Sequence, residues 1–216
     1  MRWSPVGNLL GCMVKKNTMA FFDPRVENSV IRAPSHEGPR SQKISWIDND
    51  TFVTSGFNVN AQREFAVWDI KNLEQPMAKG DISDGTGVSH ITFDIEHDLL
   101  FNVGRGDSYI QFWQFDRSAP QMMTPLDTYR CGTSHKAFTW MPKWALDVNK
   151  HEIRRGARIT SDKTLEICAF RLPSKSGLFQ PDLYPPFPSY TPSNNFDDWS
   201  KGNDKPPITI ELRPEK

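Results

Sequence analysis

The chain has 216 residues, and its 26 Lys+Arg balance 26 Asp+Glu to a formal net charge of zero, which removes the compositional argument for a nucleic-acid or anionic-membrane partner. No apolar run reaches the roughly 18 residues of a spanning helix, and the opening Met1-Arg2-Trp3-Ser4-Pro5 lacks the apolar core of a secretory signal. Three scattered cysteines, Cys12, Cys131 and Cys168, exclude a disulfide framework and a zinc site, so free thiols and an intracellular, soluble chain are expected.

Seven Trp, 14 Phe, 13 Gly and 17 Pro favour short strands and many turns over a helical bundle. In chain order, strands are expected at 9–14, at Lys43-Ile44-Ser45-Trp46-Ile47, at Thr51-Phe52-Val53-Thr54 and at Phe65-Ala66-Val67-Trp68. Further strands are expected at 99–103, at Tyr109-Ile110-Gln111-Phe112-Trp113 and at 138–142, 153–159 and 165–170. Turn clusters separate them: Asp48-Asn49-Asp50, Asp84-Gly85-Thr86-Gly87 and Gly104-Arg105-Gly106-Asp107. The fold class is therefore all-β.

Self-similarity is the strongest signal. Phe22-Asp23-Pro24, Val67-Trp68-Asp69 and Phe112-Trp113-Gln114 each close a β-like run, at spacings of 46 and 45 residues. Each is preceded by an aromatic in a short strand: Trp3, Trp46 and Phe93. An aromatic–Asp ending at this period is the signature of WD repeats, one four-stranded propeller blade per repeat. A blade cannot bury both faces alone, so blades stack and the third-strand aromatic packs between neighbours. Four blades are expected, at about 1–34, 35–80, 81–130 and 131–170, the last incomplete. His36, Ser55, Trp68, Asp69, Asp107 and Trp113 are the structural residues of this reading. His36 stands at the Gly-His position and Ser55 is read as its hydroxyl partner. The usual Asp turn gives way to a loop at 57–62, so the polar network of that blade is expected to be incomplete.

The departures from the repeat resemble one family. Phe22-Asp23-Pro24-Arg25, His36-Glu37-Gly38-Pro39-Arg40, Thr54-Ser55-Gly56-Phe57 and Val67-Trp68-Asp69-Ile70-Lys71-Asn72-Leu73-Glu74-Gln75-Pro76 are similar to coronin, the actin-associated WD-repeat protein. Gly104-Arg105-Gly106-Asp107-Ser108-Tyr109-Ile110 resembles a coronin turn, and Met141-Pro142-Lys143 with Leu146-Asp147-Val148-Asn149-Lys150-His151-Glu152-Ile153 its last blade. Most specific is the run from Pro173-Ser174-Lys175-Ser176-Gly177-Leu178-Phe179 to Gln180-Pro181-Asp182-Leu183-Tyr184-Pro185-Pro186, followed by Trp199 and Pro207-Ile208-Thr209-Ile210.

The resemblance implies a partial seven-bladed-type propeller over 1–170 and a coronin-like extension over 171–216 packed across the blades. Its anchors would be Leu178-Phe179, Leu183-Tyr184, Trp199 and 208–210. The resemblance also implies that the last blade takes its outer strand from the protein's own N-terminus. No heptads follow the extension, so coiled-coil oligomerisation is not expected. Function, by resemblance, is binding filamentous actin and regulating its turnover in the cytoplasm and actin cytoskeleton, as a non-catalytic protein without cofactor. The family's established contacts lie in a first blade that these residues do not match. Peripheral cations are therefore the candidate actin contacts: Arg63, Arg105, Lys143, Arg154, Arg155 and Arg158.

Other motifs have plain readings. Arg105-Gly106-Asp107 spells an adhesion tripeptide but reads as a tight turn, with Gly at positive φ and Asp as its cap. The sequon at Asn49-Asp50-Thr51 falls in a strand-to-strand turn of an intracellular chain. Cys131 and His135 lack an orienting third member, and the five histidines have no metal-ligand spacing, so catalytic and metal residues are expected to be absent. Gly104 and Gly106 lack a third glycine and a following helix, which excludes a dinucleotide loop.

Overall fold

The computed structural model describes residues 1–15, 17–174 and 178–214. The Lys175-Ser176-Gly177 part of the family-specific run lies outside the described residues. The fold is all-β. Strands β1 (Arg2–Trp3), β2 (Leu10–Val14), β3 (Thr18–Phe22) and β4 (Ile31–Pro34) form a first antiparallel sheet in sequential order. A second holds β5 (Lys43–Trp46), β6 (Thr51–Phe57), β7 (Arg63–Asp69) and β8 (Ala78–Ser83), and a third β9 (Ser89–Asp94), β10 (Leu99–Gly104), β11 (Tyr109–Phe115) and β12 (Met123–Arg130). A fourth has three strands, β13 (His135–Trp140), β14 (Glu152–Thr160) and β15 (Leu165–Arg171). The pair β16 (Phe187–Pro188) and β17 (Thr209–Ile210) and the helix α1 (Phe196–Ser200) complete the elements.

Two compact units divide the chain: Met1–Cys131 with Asn194–Pro206, and Gly132–Ser193 with Pro207–Lys216. In the first unit the second sheet lies between the first and third, and period-2 alternation assigns its side chains. Even positions of β6 and β7 (Phe52, Ala66, Trp68) join Met19, Phe21 and Ala33 of the first sheet in one apolar cluster. Odd positions (Val53, Phe65, Val67) join Ile91, Phe93, Leu100 and Trp113 of the third in another. Every residue of β6 is therefore buried. Trp68 and Trp113 occupy the expected between-sheet positions at 5% and 4% exposure. In the first sheet the core aromatic is Phe21 rather than the expected Phe22. Phe21 is fully buried and packs on Trp46 and Phe52, whereas Phe22 is half-buried.

The turns use local polar chemistry. Asp48 Oδ1 accepts from the N–H of Asp50 (2.8 Å) and Thr51 (2.7 Å), which fixes the β5–β6 turn. Gly106 carries φ +89° in the β10–β11 turn, a backbone region that side chains avoid. Asp69 closes β7 by accepting from the Lys71 N–H at 2.9 Å. Polar bonds also tie neighbouring sheets: Trp46 Nε1 donates to the Arg2 carbonyl (3.1 Å), and the Phe93 N–H to Ser45 Oγ (3.0 Å).

In the second unit, β14 pairs with both β13 and β15. Of the extension's expected anchors in this unit, Tyr184 is buried and stacks on Phe179 at 5.6 Å. Leu178 is instead 76% exposed, and its carbonyl lies 3.0 Å from His151 Nε2. Leu183 is half-buried and Ile208 is 46% exposed, while in the first unit Trp199 of α1 holds a further anchor position. Its indole N–H donates to the Gly7 carbonyl (3.0 Å), and its ring meets Trp3 edge-on at 6.3 Å. The Arg25 guanidinium lies 5.2 Å above that ring and also binds Asp204.

Candidate functional site

The second sheet carries a four-residue polar chain. The Trp68 indole N–H donates to Thr54 Oγ1 (2.9 Å), that hydroxyl lies 2.8 Å from His36 Nε2, and His36 Nδ1–H donates to Glu64 Oε1 (2.7 Å). All four residues are 5% exposed or less. This corrects the expected incomplete network twice. Thr54, not Ser55, is the hydroxyl, because Trp68 and Thr54 share the even face whereas Ser55 points to the third sheet and donates to the Ser89 carbonyl (3.4 Å). Glu64 replaces the missing turn Asp, its longer side chain reaching His36 from within β7. Burial alone would push the Glu64 carboxyl up, but His36 and Lys79 outweigh it and hold the group below its ordinary value. Gly56 is required beside this chain, since a Cβ there would overlap the His36 ring.

The opposite face of the same sheet carries a buried ion pair. Arg63 is 0% exposed, and its guanidinium pairs with Asp107 of the third sheet, with Nη2 donating to Oδ1 at 3.0 Å. Nε donates to the Gly87 carbonyl (2.7 Å) and Nη1 to Ser83 Oγ (3.1 Å). Side chains at Gly85 or Gly104 would collide with that guanidinium. Asp107 is thus no turn cap: it is one of the ties between the third sheet and the second. Beside the pair, a shallow groove of about 530 Å³ runs between Ser83–Gly85 and Gly106–Tyr109, with Asp84 and Arg130 giving it mixed charge.

Arg63, the first residue of β7, therefore cannot serve as a surface contact. Arg158 is corrected likewise: at 4% exposure it binds Glu166, the Thr133 carbonyl (2.8 Å) and His135 Nδ1 (3.3 Å). The remaining candidate cations differ in exposure. Arg105 is exposed at the β10–β11 turn, and Lys143 is half-buried on a short 3-10 turn. On β14, the half-buried Arg154 lies over the Trp140 ring (5.2 Å), while Arg155 is bound by the fully buried Glu152 carboxylate. That carboxylate raises the Arg155 value above its ordinary level. Arg63 and Arg105 belong to the first compact unit, and Lys143, Arg154, Arg155 and Arg158 to the second. Among the described residues no cluster of His, Cys, Asp and Glu could hold a metal ion, and no helix is long and apolar enough to cross a membrane.

The sequence offered no motif for Glu64 or for the Arg63–Asp107 pair. The signal that was available is parity along β7: Arg63 and Glu64 are adjacent and point to opposite faces of a strand whose next four residues are apolar, up to Asp69.

Comparison with known proteins gives this geometry a family. A family model described as a type of WD40 repeat matches residues 165–207. Coronin-2A of Mus musculus is 31% identical over 216 residues, 99% of this chain and 41% of the relative; Coronin-2A of Homo sapiens is 30% identical with the same coverage. The chain thus spans about two fifths of the length of these relatives. The WD40 domain from Toxoplasma gondii coronin superposes with a TM-score of 0.92 at 31% identity, over 98% of this chain and 55% of that one. Dihydro-heme d1 dehydrogenase NirN shares the fold alone, at TM-score 0.56 and 12% identity over 83% of this chain and 35% of that one. The chain is a coronin-like WD-repeat protein.

Proposed function

We propose that this coronin-like WD-repeat chain binds filamentous actin and regulates its turnover in the cytoplasm, by surface recognition and without catalysis. The observation that carries the reading is likeness to a coronin WD40 domain over 98% of the chain at TM-score 0.92. A non-catalytic role is supported by the use of the buried polar groups. The His36, Glu64, Asp107 and Glu152 side chains are committed to structural partners.

With Arg63 and Arg158 turned inward, Arg105, Lys143, Arg154 and Arg155 remain as candidate contacts. Exposed charge pairs contribute about 0–1 kcal/mol each and weaken as the screening length falls to about 8 Å at physiological salt. Binding is therefore weak and salt-sensitive. Co-sedimentation with actin filaments across a salt series tests this, comparing the chain with Arg105→Ala and with Arg154→Ala/Arg155→Ala. Tight, salt-independent pelleting unaffected by these changes would overturn the assignment of contacts. No pelleting at any salt, from a chain shown to be folded, would favour a WD-repeat scaffold for another partner, or a coronin segment without autonomous actin binding.

A further inference from the structure

The first strands of the three four-stranded sheets lie side by side, with β5 against both β1 and β9. Each carries a basic residue at or next to its start. Arg2 and Lys43 are the first residues of β1 and β5, and His90 is the second of β9. Arg105 joins them because its N–H donates to the Val88 carbonyl (3.0 Å), which holds the β10–β11 turn against the start of β9. Arg2, His90 and Arg105 are exposed and Lys43 half-exposed. Some exposed cations of this unit have carboxylate partners, as in Lys71–Asp50, Arg117–Asp48 and Lys205–Asp198. Among the described residues, Arg2, Lys43 and Arg105 form no ion pair.

We propose that Arg2, Lys43, His90 and Arg105 form a binding site for a compact phosphate-bearing anion. The four residues belong to three neighbouring sheets whose first strands are in contact, which suits a small, multiply charged group rather than an extended acidic peptide that needs a row of contacts along a strand. Two guanidiniums supply forked donors matched to phosphate oxygens, and Lys43 supplies a point charge. The field at the centre has the required sign. Although the residue is exposed, partial loss of water around its ring, first, and then the charges of Lys43, Arg105 and Arg2 hold His90 below its ordinary value. A bound anion offsets those three charges. This inference goes beyond actin binding and does not rest on it.

Titration calorimetry of the whole chain with tripolyphosphate at low ionic strength tests the site, with vesicles of phosphatidylcholine carrying a phosphoinositide as a second arm. One saturable site is expected, together with a shift of the His90 ring signals in NMR. Lys43→Gln and Arg105→Gln should each weaken binding about tenfold, the loss of one charge-assisted hydrogen bond. Lys71→Gln, which removes an exposed cation elsewhere, should leave it unchanged. Tripolyphosphate binding without vesicle uptake assigns a soluble phosphate ester, and vesicle uptake lost in the same variants assigns a lipid headgroup. Should Lys43→Gln fail to fold, Lys43→Arg keeps the test open, because it retains the charge and should retain the affinity. No binding of either probe overturns the proposal. Binding that Lys43→Gln/Arg105→Gln leaves intact, or that Lys71→Gln weakens equally, overturns it too.

Discussion

The second and fourth sheets carry the same kind of antiparallel strands but opposite surroundings. In the second, all seven residues of β6 are buried, and both faces of β7 meet an apolar cluster. In the fourth, β15 buries Cys168 but leaves Leu165 72% and Ile167 56% exposed. What differs is neighbours, not strand propensity: a WD-type sheet acquires its core from the sheets on either side, so equal sequence patterns do not carry equal energies. Polar chemistry follows the same division. The second sheet holds the Trp68–Thr54–His36–Glu64 chain on one face and Arg63 on the other, whereas Arg158 and Arg155 of the fourth are satisfied within their own sheet or the turn before it.

The contrast is open to direct attack. The largest effect is expected at Trp68→Ala, which opens a cavity between two sheets and removes a partner of Thr54. A loss of about 3–5 kcal/mol should appear in denaturant unfolding. Breaking the buried pair by Arg63→Ala should cost about as much, because Asp107 is left charged and dry. The double change Arg63→Met/Asp107→Leu should restore part of that loss; a double variant no better than the single one would show that the glycine cradle, not the charge, sets the cost.

A pH series probes the same sheet at a smaller scale. The folded state holds the Glu64 carboxyl below its ordinary value of 4.5, so its contribution is complete above that pH and is lost as pH falls through the lower folded value. Melting temperature should therefore drop more steeply below about pH 4.5 in the parent chain than in Glu64→Gln. The smallest effect belongs to the fourth sheet. Leu165→Ser should change stability by no more than about 0.5 kcal/mol, and a loss comparable to that of Trp68→Ala would erase the distinction between the two sheets.

The sequence disclosed the repeat, the strand order and the between-sheet positions of Trp68 and Trp113, because these follow from period and alternation, which a chain displays locally. It misassigned residues where two faces compete. Ser55 fits a WD spelling, yet Thr54 shares the parity of Trp68. Arg63 reads as a peripheral charge because nothing near it in sequence announces Asp107, 44 positions away. The polar glycines at 85, 87 and 104 read only as turns, although Gly85 and Gly104 leave room for a guanidinium. In the extension, Leu178 looks like an anchor by hydrophobicity, whereas burial goes to Tyr184 and Phe187, whose neighbours only the tertiary fold determines.

The tie between Trp199 and Gly7 spans 192 positions of sequence, and that between Arg25 and Asp204 spans 179. Such contacts close among the latest of any in the chain, since long loops cost more entropy to join and slow the search for partners. During synthesis, which proceeds from the N-terminus, the first three sheets emerge well before their α1 clasp exists. Until residue 199 arrives, the Trp3 ring lacks its aromatic partner, and Arg25 has Asp23 but not Asp204. The first sheet therefore passes through translation with one flank unclasped, a window in which a nascent chain is most exposed to mispairing and to chaperone capture.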